Sequence, residues 1–316
     1  MYKQKTENFG GFEKMSLYND KGTSFSVVPS FGANVNEISL PFKGRSYSII
    51  DGVTSAEELT SDKAFKSSVL LPWPNRLEDG RYEFEGKSYQ LAINETDRNT
   101  ALHGFIYKKK FNVEEIAVKE TSASIKLSYD YHGDEPGYPF HFKVEIVYSI
   151  SDEDGFAVKV DIVNTDKGSI PVGFGWHPYI KLPSMVNELQ LQFPRRLVYD
   201  VNFRLLPTGK TWDAPEFTTM QKVGITALDT CFKITENSEI AVTLLRDEAA
   251  GFTLKFWQET GVGGFNYLQA YTPVSRQTIA LEPMTCGVNA FNNGDGLLVM
   301  KPGERFNGRF GIILMP

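Results

Sequence analysis

The sequence predicts an all-β protein: one large antiparallel β-sandwich over residues 1–316, with at most one or two short helices. Three observations carry this. Apolar residues recur mostly with period two, the spacing of a strand with one buried face. No segment keeps a helical period for more than about three turns. Aromatic residues, which favour strands, make up 13% of the chain. No fixed-period repeat and no low-complexity linker divides it, so a single domain is expected.

Ser24 to Ser39 alternates loosely around Pro29 and Gly32 and is read as an early strand pair. Ser55-Ala56-Glu57-Glu58 has capping-box spacing and starts one short helix. Arg81–Phe84, Glu85-Gly86-Lys87 and Ser88–Leu91 read as a hairpin. Phe111–Val118 and Ala123–Tyr131 form a second pair. The strongest hairpin follows: Phe140, Phe142, Val144, Ile146, Tyr148 and Ile150 alternate cleanly, Asp152-Glu153-Asp154-Gly155 turns the chain, and Phe156, Val158, Val160 and Ile162 return it. The pattern recurs at Leu189–Phe193, Ile240–Leu244 and Phe252–Phe256, and Arg309–Leu314 closes the sheet. Leu197 to Asp229 is expected to be the main irregular insertion.

Composition excludes several classes. Hydrophobic content of 41% and charged content of 23% are globular values. Net charge is -6 with both signs interspersed, so nucleic acid is not an expected partner. No run reaches the length of a membrane helix, and Met1–Thr6 shows no signal-peptide apolar region. Cys231 and Cys286 make no disulfide framework, so a reduced, cytoplasmic location is expected. A monomer or weak dimer is the expected state.

Candidate chemistry lies at strand ends and rigid loops. His177, one of four histidines, sits in Gly175-Trp176-His177-Pro178-Tyr179, where Pro178 biases it toward extended backbone. That suits a pocket-facing imidazole as well as a core histidine. Glu282 follows Ile279-Ala280-Leu281 and precedes Pro283, and burial there would raise its pKa toward general-base range. His103 precedes Gly104, which allows close approach. Asn75-Arg76 follows two prolines, and the arginine fork suits hydroxyl or carboxylate partners. Asp229 is a carboxylate in an apolar stretch, and an Asx turn is the slightly favoured account of it. His132 and His141 read as solvated surface residues. No phosphate loop, dinucleotide fingerprint, nucleophile elbow, HExxH or paired CxxC is present. His103 and His177 with Asp229 or Glu282 supply metal-ligand types in principle, but nothing in the spacing requires a metal. Asp152–Gly155 reads as a plain turn rather than a calcium loop.

These residues resemble the aldose 1-epimerases, also called galactose mutarotases. The likeness runs in order through Asn75-Arg76 with Gly80–Phe84, Asn99–Gly104, Gly137–Phe140, His177–Tyr179, Asp229–Phe232, Tyr271–Pro273 with Glu282–Thr285, and Pro302–Glu304. The resemblance implies a β-supersandwich and interconversion of α and β anomers of a free aldose, without metal or organic cofactor. It implies that Glu282 takes the proton of the anomeric hydroxyl and that His177 protonates the ring oxygen. His103, Arg76, Asp229 and Asn75 would then bind the sugar. The two catalytic groups are expected to face each other across a sugar-sized gap, with His103 and Arg76 on its wall. Trp73, Trp176, Tyr179 and Phe265 are stacking candidates, with core packing expected for at least half. After His103-Gly104 the chain departs from the galactose-specific pattern, which weakens the case for galactose but not for the chemistry. Lys108–Lys110 would suit an anionic sugar or, more ordinarily, a solvated edge strand. The rivals are a hexose-6-phosphate mutarotase, which needs converging cations, and a non-catalytic carbohydrate-binding module.

Overall fold

The computed structural model describes all 316 residues. Three antiparallel sheets carry the chain. Strands Tyr2–Phe9, Phe12–Asn19, Ser24–Val28, Asn34–Phe42 and Arg45–Ser48 form a five-stranded meander. A nine-stranded sheet runs in the order Asn112–Val118, Ser122–His132, His141–Ser151, Gly155–Asn164, Arg305–Met315, Phe252–Glu259, Ile240–Asp247, Gln190–Gln192 and Gln221–Lys222. The third, eight-stranded, is built around Asp229–Ile234, Tyr267–Tyr271, Ile279–Met284 and Gly175–Trp176.

The clean alternation from Phe140 to Ile162 becomes two long strands whose even-numbered residues, Phe142 to Ile150, are all buried. They join one core of 64 buried residues that lies between the sheets. Trp176 reaches into it from the third sheet and stacks on Phe310 of the second, ring centroids 5.5 Å apart. Ser55 caps the short helix Ala56–Ser61, its hydroxyl accepting from the Glu58 N–H at 3.2 Å. One further helix, Ala290–Asn293, is a single turn. No helix is long and apolar enough to cross a membrane.

Two expectations are corrected. Leu197–Asp229 is not irregular: Arg196–Val201 and Pro207–Asp213 pair as an antiparallel hairpin at the edge of the third sheet. Pro207–Asp213 is exposed along almost its whole length, so its sequence carries no alternation to read. The N-terminal hairpin Tyr2–Phe9/Phe12–Asn19 also carries no clean alternation, because Tyr2–Phe9 is mostly exposed and most of Phe12–Asn19 is half-buried on both faces. Its turn residues Gly10-Gly11, both at positive φ, were the available signal.

Asp152 turns the central hairpin as expected and also clamps the meander to it. Its carboxylate accepts from Tyr2 Oη, Asn19 Nδ2, Thr23 Oγ1 and Lys21 Nζ. These donors hold its pKa down to about 2, against the opposing effect of partial burial. His132 and His141 lie opposite each other on neighbouring strands, His132 exposed and His141 half-buried.

Candidate active site

Strand pairing alone places most of the site. Residues directly opposite each other in an antiparallel pair share a face. Glu282 faces Gln269, which faces Cys231; one register step along, Tyr179 faces Ala280, which faces Tyr271, which faces Asp229. Tyr179, Asp229, Gln269, Tyr271 and Glu282 therefore floor one pocket on a single face of the third sheet. Period two also explains His177: its neighbour Trp176 points into the core, so the imidazole points the other way. The walls come from loops that carry Phe65, Asn75-Arg76, Glu95, Arg98 and His103. The cavity holds 460 Å³, within the range of roughly 300–1,000 Å³ usual for small ligands. All six predicted site residues line it.

The centre is dry. His177 and His103 are each 5% exposed and Glu282 only 2%. His177 Nε2 lies 3.3 Å from Glu282 Oε1, while His177 Nδ1 and Glu282 Oε2 are buried without any hydrogen-bond partner. The two groups are neighbours, not facing partners across a gap. The chemistry explains the correction: the anomeric hydroxyl oxygen and the ring oxygen are bonded to the same carbon, so an acid and a base serving them belong side by side.

Burial disfavours charge on both members. It lowers the His177 pKa to about 4 and pushes the Glu282 carboxyl well above its ordinary range, with the Asp229 charge adding to the rise and Arg76 opposing it. Both shifts favour the uncharged forms, a neutral imidazole beside a protonated carboxyl, and the two groups titrate as a coupled pair. His103 is held neutral by the same burial, reinforced by His177 and Arg76.

The His103 tautomer follows from its partner. The Asn75 backbone N–H donates to His103 Nδ1 at 3.1 Å, so the ring proton sits on Nε2. That nitrogen is a donor suited to a sugar oxygen. The same bond bears on metal binding. His103, His177 and Glu282 present donor atoms within 4.8 Å of one another. A metal ligand histidine normally donates from its second nitrogen. Here Nδ1 accepts, which leaves Nε2 protonated and unsuited to a metal.

Arg76 is fixed by Glu95, a residue the sequence did not single out. Nε and one terminal nitrogen bind the two Glu95 oxygens at 2.8 and 2.9 Å, leaving the other side of the guanidinium beside Asn75 Oδ1. Thr100 Oγ1 and Arg98 also donate to Glu95, and these contacts keep its carboxyl low despite burial. Gln269, also missed, bridges Asn75 Nδ2 at 3.1 Å and Asp229 Oδ1 at 3.0 Å. Asp229 stands at the mouth, open to solvent on one side. Its packed side raises its pKa, offset chiefly by Arg76 and Arg98.

Of the stacking candidates, only Tyr179 lines the cavity, stacked on His177 with ring centroids 5.0 Å apart. Trp73, Trp176 and Phe265 are core. Phe65 and Tyr271 line the site instead. The lysine triplet does not reach it, nor is it an edge strand. Lys108 ends a 3₁₀ turn and lies over the Tyr107 ring, and Lys109 pairs with Asp134 and Glu135.

Comparison with known proteins gives one answer. The sequence model of the family described as Aldose 1-epimerase matches residues 13–312. The uncharacterised protein YihR of Escherichia coli (strain K12) is 31% identical over 248 residues, 76% of each chain. Galactose mutarotase of Homo sapiens is 24% identical over 206 residues, covering 64% of this chain and 58% of the human protein. Among solved structures, a galactose mutarotase-like protein from Clostridium acetobutylicum superposes with a TM-score of 0.87 at 19% identity, covering 99% of this chain and 98% of its own. Galactose 1-epimerase from Lactobacillus acidophilus NCFM gives 0.80 at 16% identity, covering 100% and 98%.

Proposed function

The chain belongs to the aldose 1-epimerase family, whose members are mutarotase isomerases, and from that premise we propose that it interconverts the α and β anomers of a free aldose. The observation that carries this reading is the dry Glu282–His177 pair with an unpartnered polar atom on each member. Buried polar groups without partners are costly, and a sugar's hydroxyl and ring oxygens would satisfy both.

Glu282, as carboxylate, takes the proton of the anomeric hydroxyl. His177, as imidazolium, protonates the ring oxygen, and the C1–O5 bond breaks to give the open-chain aldehyde. One proton enters the pair and one leaves, so it stays singly protonated throughout. Opening converts the ion pair into neutral acid and neutral imidazole, the form that burial favours. Rotation about C1–C2 presents the other face of the aldehyde. Closure with the roles reversed gives the other anomer. His103 Nε2–H and Arg76 donate to sugar oxygens, and Asp229 with Asn75 accepts from and donates to hydroxyls. Each positioned proton transfer is worth about 10²–10⁴-fold.

Anomer exchange followed by NMR on a panel of aldoses tests the proposal, with Glu282→Gln and His177→Asn as controls. Acceleration that both substitutions abolish is expected. Binding of a sugar with no acceleration over the variants would instead make the protein a carbohydrate-binding module.

A further inference from the structure

The charge lining the pocket runs against that of the chain. The whole sequence carries -6, yet three cations, Lys63, Arg76 and Arg98, line this one cavity. Glu95 is shared between Arg76 and Arg98 and neutralises one of them. Asp229 balances a second. The Glu282–His177 pair, holding one proton, adds no net charge. One positive charge is left in excess among the residues that line the cavity.

Two of these cations are also incompletely paired. Arg76 spends its fork on Glu95, but Arg98 makes one contact to that carboxylate, at 3.1 Å through a single terminal nitrogen. Its Nε is buried and has no hydrogen-bond partner. Its backbone is anchored from behind by Arg204, whose guanidinium donates to the Arg98 and Asn99 carbonyls at 2.8 Å each. A guanidinium anchored through its backbone, with its second terminal nitrogen making no hydrogen bond, can donate to an oxyanion from the pocket side. Lys63 is exposed on the pocket rim and forms no salt bridge. Both line the cavity, and neither forms a hydrogen bond or salt bridge with Glu282 or His177.

We propose that the preferred substrate is an aldose carrying a fixed anion away from its anomeric carbon, held by Arg98 and Lys63 while Glu282 and His177 work on C1. The inference rests on the anomerase reading of the site. The shared chemistry is a tetrahedral or planar oxyanion, and a carboxylate, sulfonate or phosphate ester can each supply it. A neutral sugar leaves the Arg98 fork unused.

The test compares NMR anomer exchange for glucose with that for its 6-carboxylate, 6-sulfonate and 6-phosphate counterparts. At least one anionic sugar is expected to exceed glucose in kcat/KM by about tenfold or more, the worth of one charge-assisted hydrogen bond. The oxyanion with the largest ratio identifies the source. Arg98→Ala and Lys63→Gln should each lower the anionic-to-neutral ratio, through KM more than kcat, and raising the salt should shrink it further. Lys63 is exposed, so its variant carries the test even if Arg98→Ala fails to fold. A ratio near one for all three anions, or a ratio that neither substitution changes, overturns the inference while leaving the anomerase intact. If no sugar is accelerated, the anomerase reading fails instead. Calorimetric titration with hexuronate against glucose then decides the anion site, and equal affinities overturn it.

Discussion

Replacing Glu282 by Gln should abolish activity and stabilise the protein, and the stabilisation should grow with pH. The carboxyl is 2% exposed, one of its oxygens has no partner, and burial raises its pKa in the folded state. In the unfolded chain it titrates near ~4.3. Between that value and the raised one, the folded state binds the extra proton. Unfolding stability must therefore fall as pH rises through this window, by up to about 1.4 kcal/mol per pH unit. Gln keeps the shape and removes the titration. The depressed His177 pKa works in the opposite direction, weakening the fold as pH drops from about 6.5 toward 4; because His177 contacts Glu282 its shift differs between the two proteins, so the rise from about pH 6.5 to 8, where the imidazole is neutral, carries the test. With an unfolding entropy of about 2.1 cal/mol/K per residue, a chain of this length gains about 2 °C in Tm per 1.4 kcal/mol. Melts at pH 5, 6, 7 and 8 should show the Tm of Glu282→Gln pulling ahead of wild type as pH rises, with anomer exchange down about 10²–10⁴-fold. A Tm difference independent of pH, or more than a tenth of the activity remaining, would refute the buried-carboxyl argument.

Three further outcomes follow from the same geometry. The pH profile of kcat/KM should be flat across neutrality, with an acid limb near 4 where the Glu282–His177 pair takes a second proton; a limb at pH 6–7 would mean that His177 is solvated. Glu95→Gln should loosen the Arg76 fork, now held at 2.8 and 2.9 Å, and lower kcat/KM about 10–100-fold while circular dichroism stays native. Gly104→Ala should cost about 2–4 kcal/mol in denaturant unfolding and depress activity through His103, because Gly104 has φ +67 and an added Cβ would lie 2.2 Å from the Leu71 carbonyl oxygen.

What the sequence disclosed follows from where each residue's environment is written. The fold was legible because a strand with one buried face writes its burial into every second residue, as Phe142 to Ile162 does. The exposed strands of the N-terminal hairpin and Pro207–Asp213 write nothing of the kind. His177, Glu282 and Asp229 were legible as polar residues in apolar stretches. Gln269 had the same mark, standing between Leu268 and Ala270, and could have been found by it. Glu95, Arg98 and Lys63 could not. Their sequence neighbours are polar, and Glu95 gains its meaning from Arg76, 19 residues away. The one hint of an anionic sugar that the sequence offered, set below a solvated edge strand, was Lys108–Lys110, since a run of like charge is visible in sequence and the shared cavity lining of Lys63 and Arg98 is not.

The two imidazoles owe their positions to backbone that is itself strained. Asn75, His103, Phe65 and Ser67 all have φ between 52° and 65°, and none is glycine. Such residues cost on the order of 1–3 kcal/mol each and persist only where the surroundings fix them. The surroundings here include the candidate site residues themselves. Asn75 N–H donates to His103 Nδ1 while His103 N–H donates back to the Asn75 carbonyl at 3.0 Å. Ser67 N–H donates to the His177 carbonyl at 2.8 Å, and His177 N–H donates back to Ser68 at 3.1 Å. The Trp176 indole N–H closes the second clamp on the Ser67 carbonyl. The His103 ring is thus tied directly to left-handed Asn75, the His177 backbone is tied to left-handed Ser67 and its neighbour, and the two rings are set edge to face at 5.2 Å. A rotation of the His103 ring would break its clamp without relieving the strain. Under the proposed function, a sugar entering the pocket would meet the His103 donor already aimed, which lowers the reorganisation that ring opening requires.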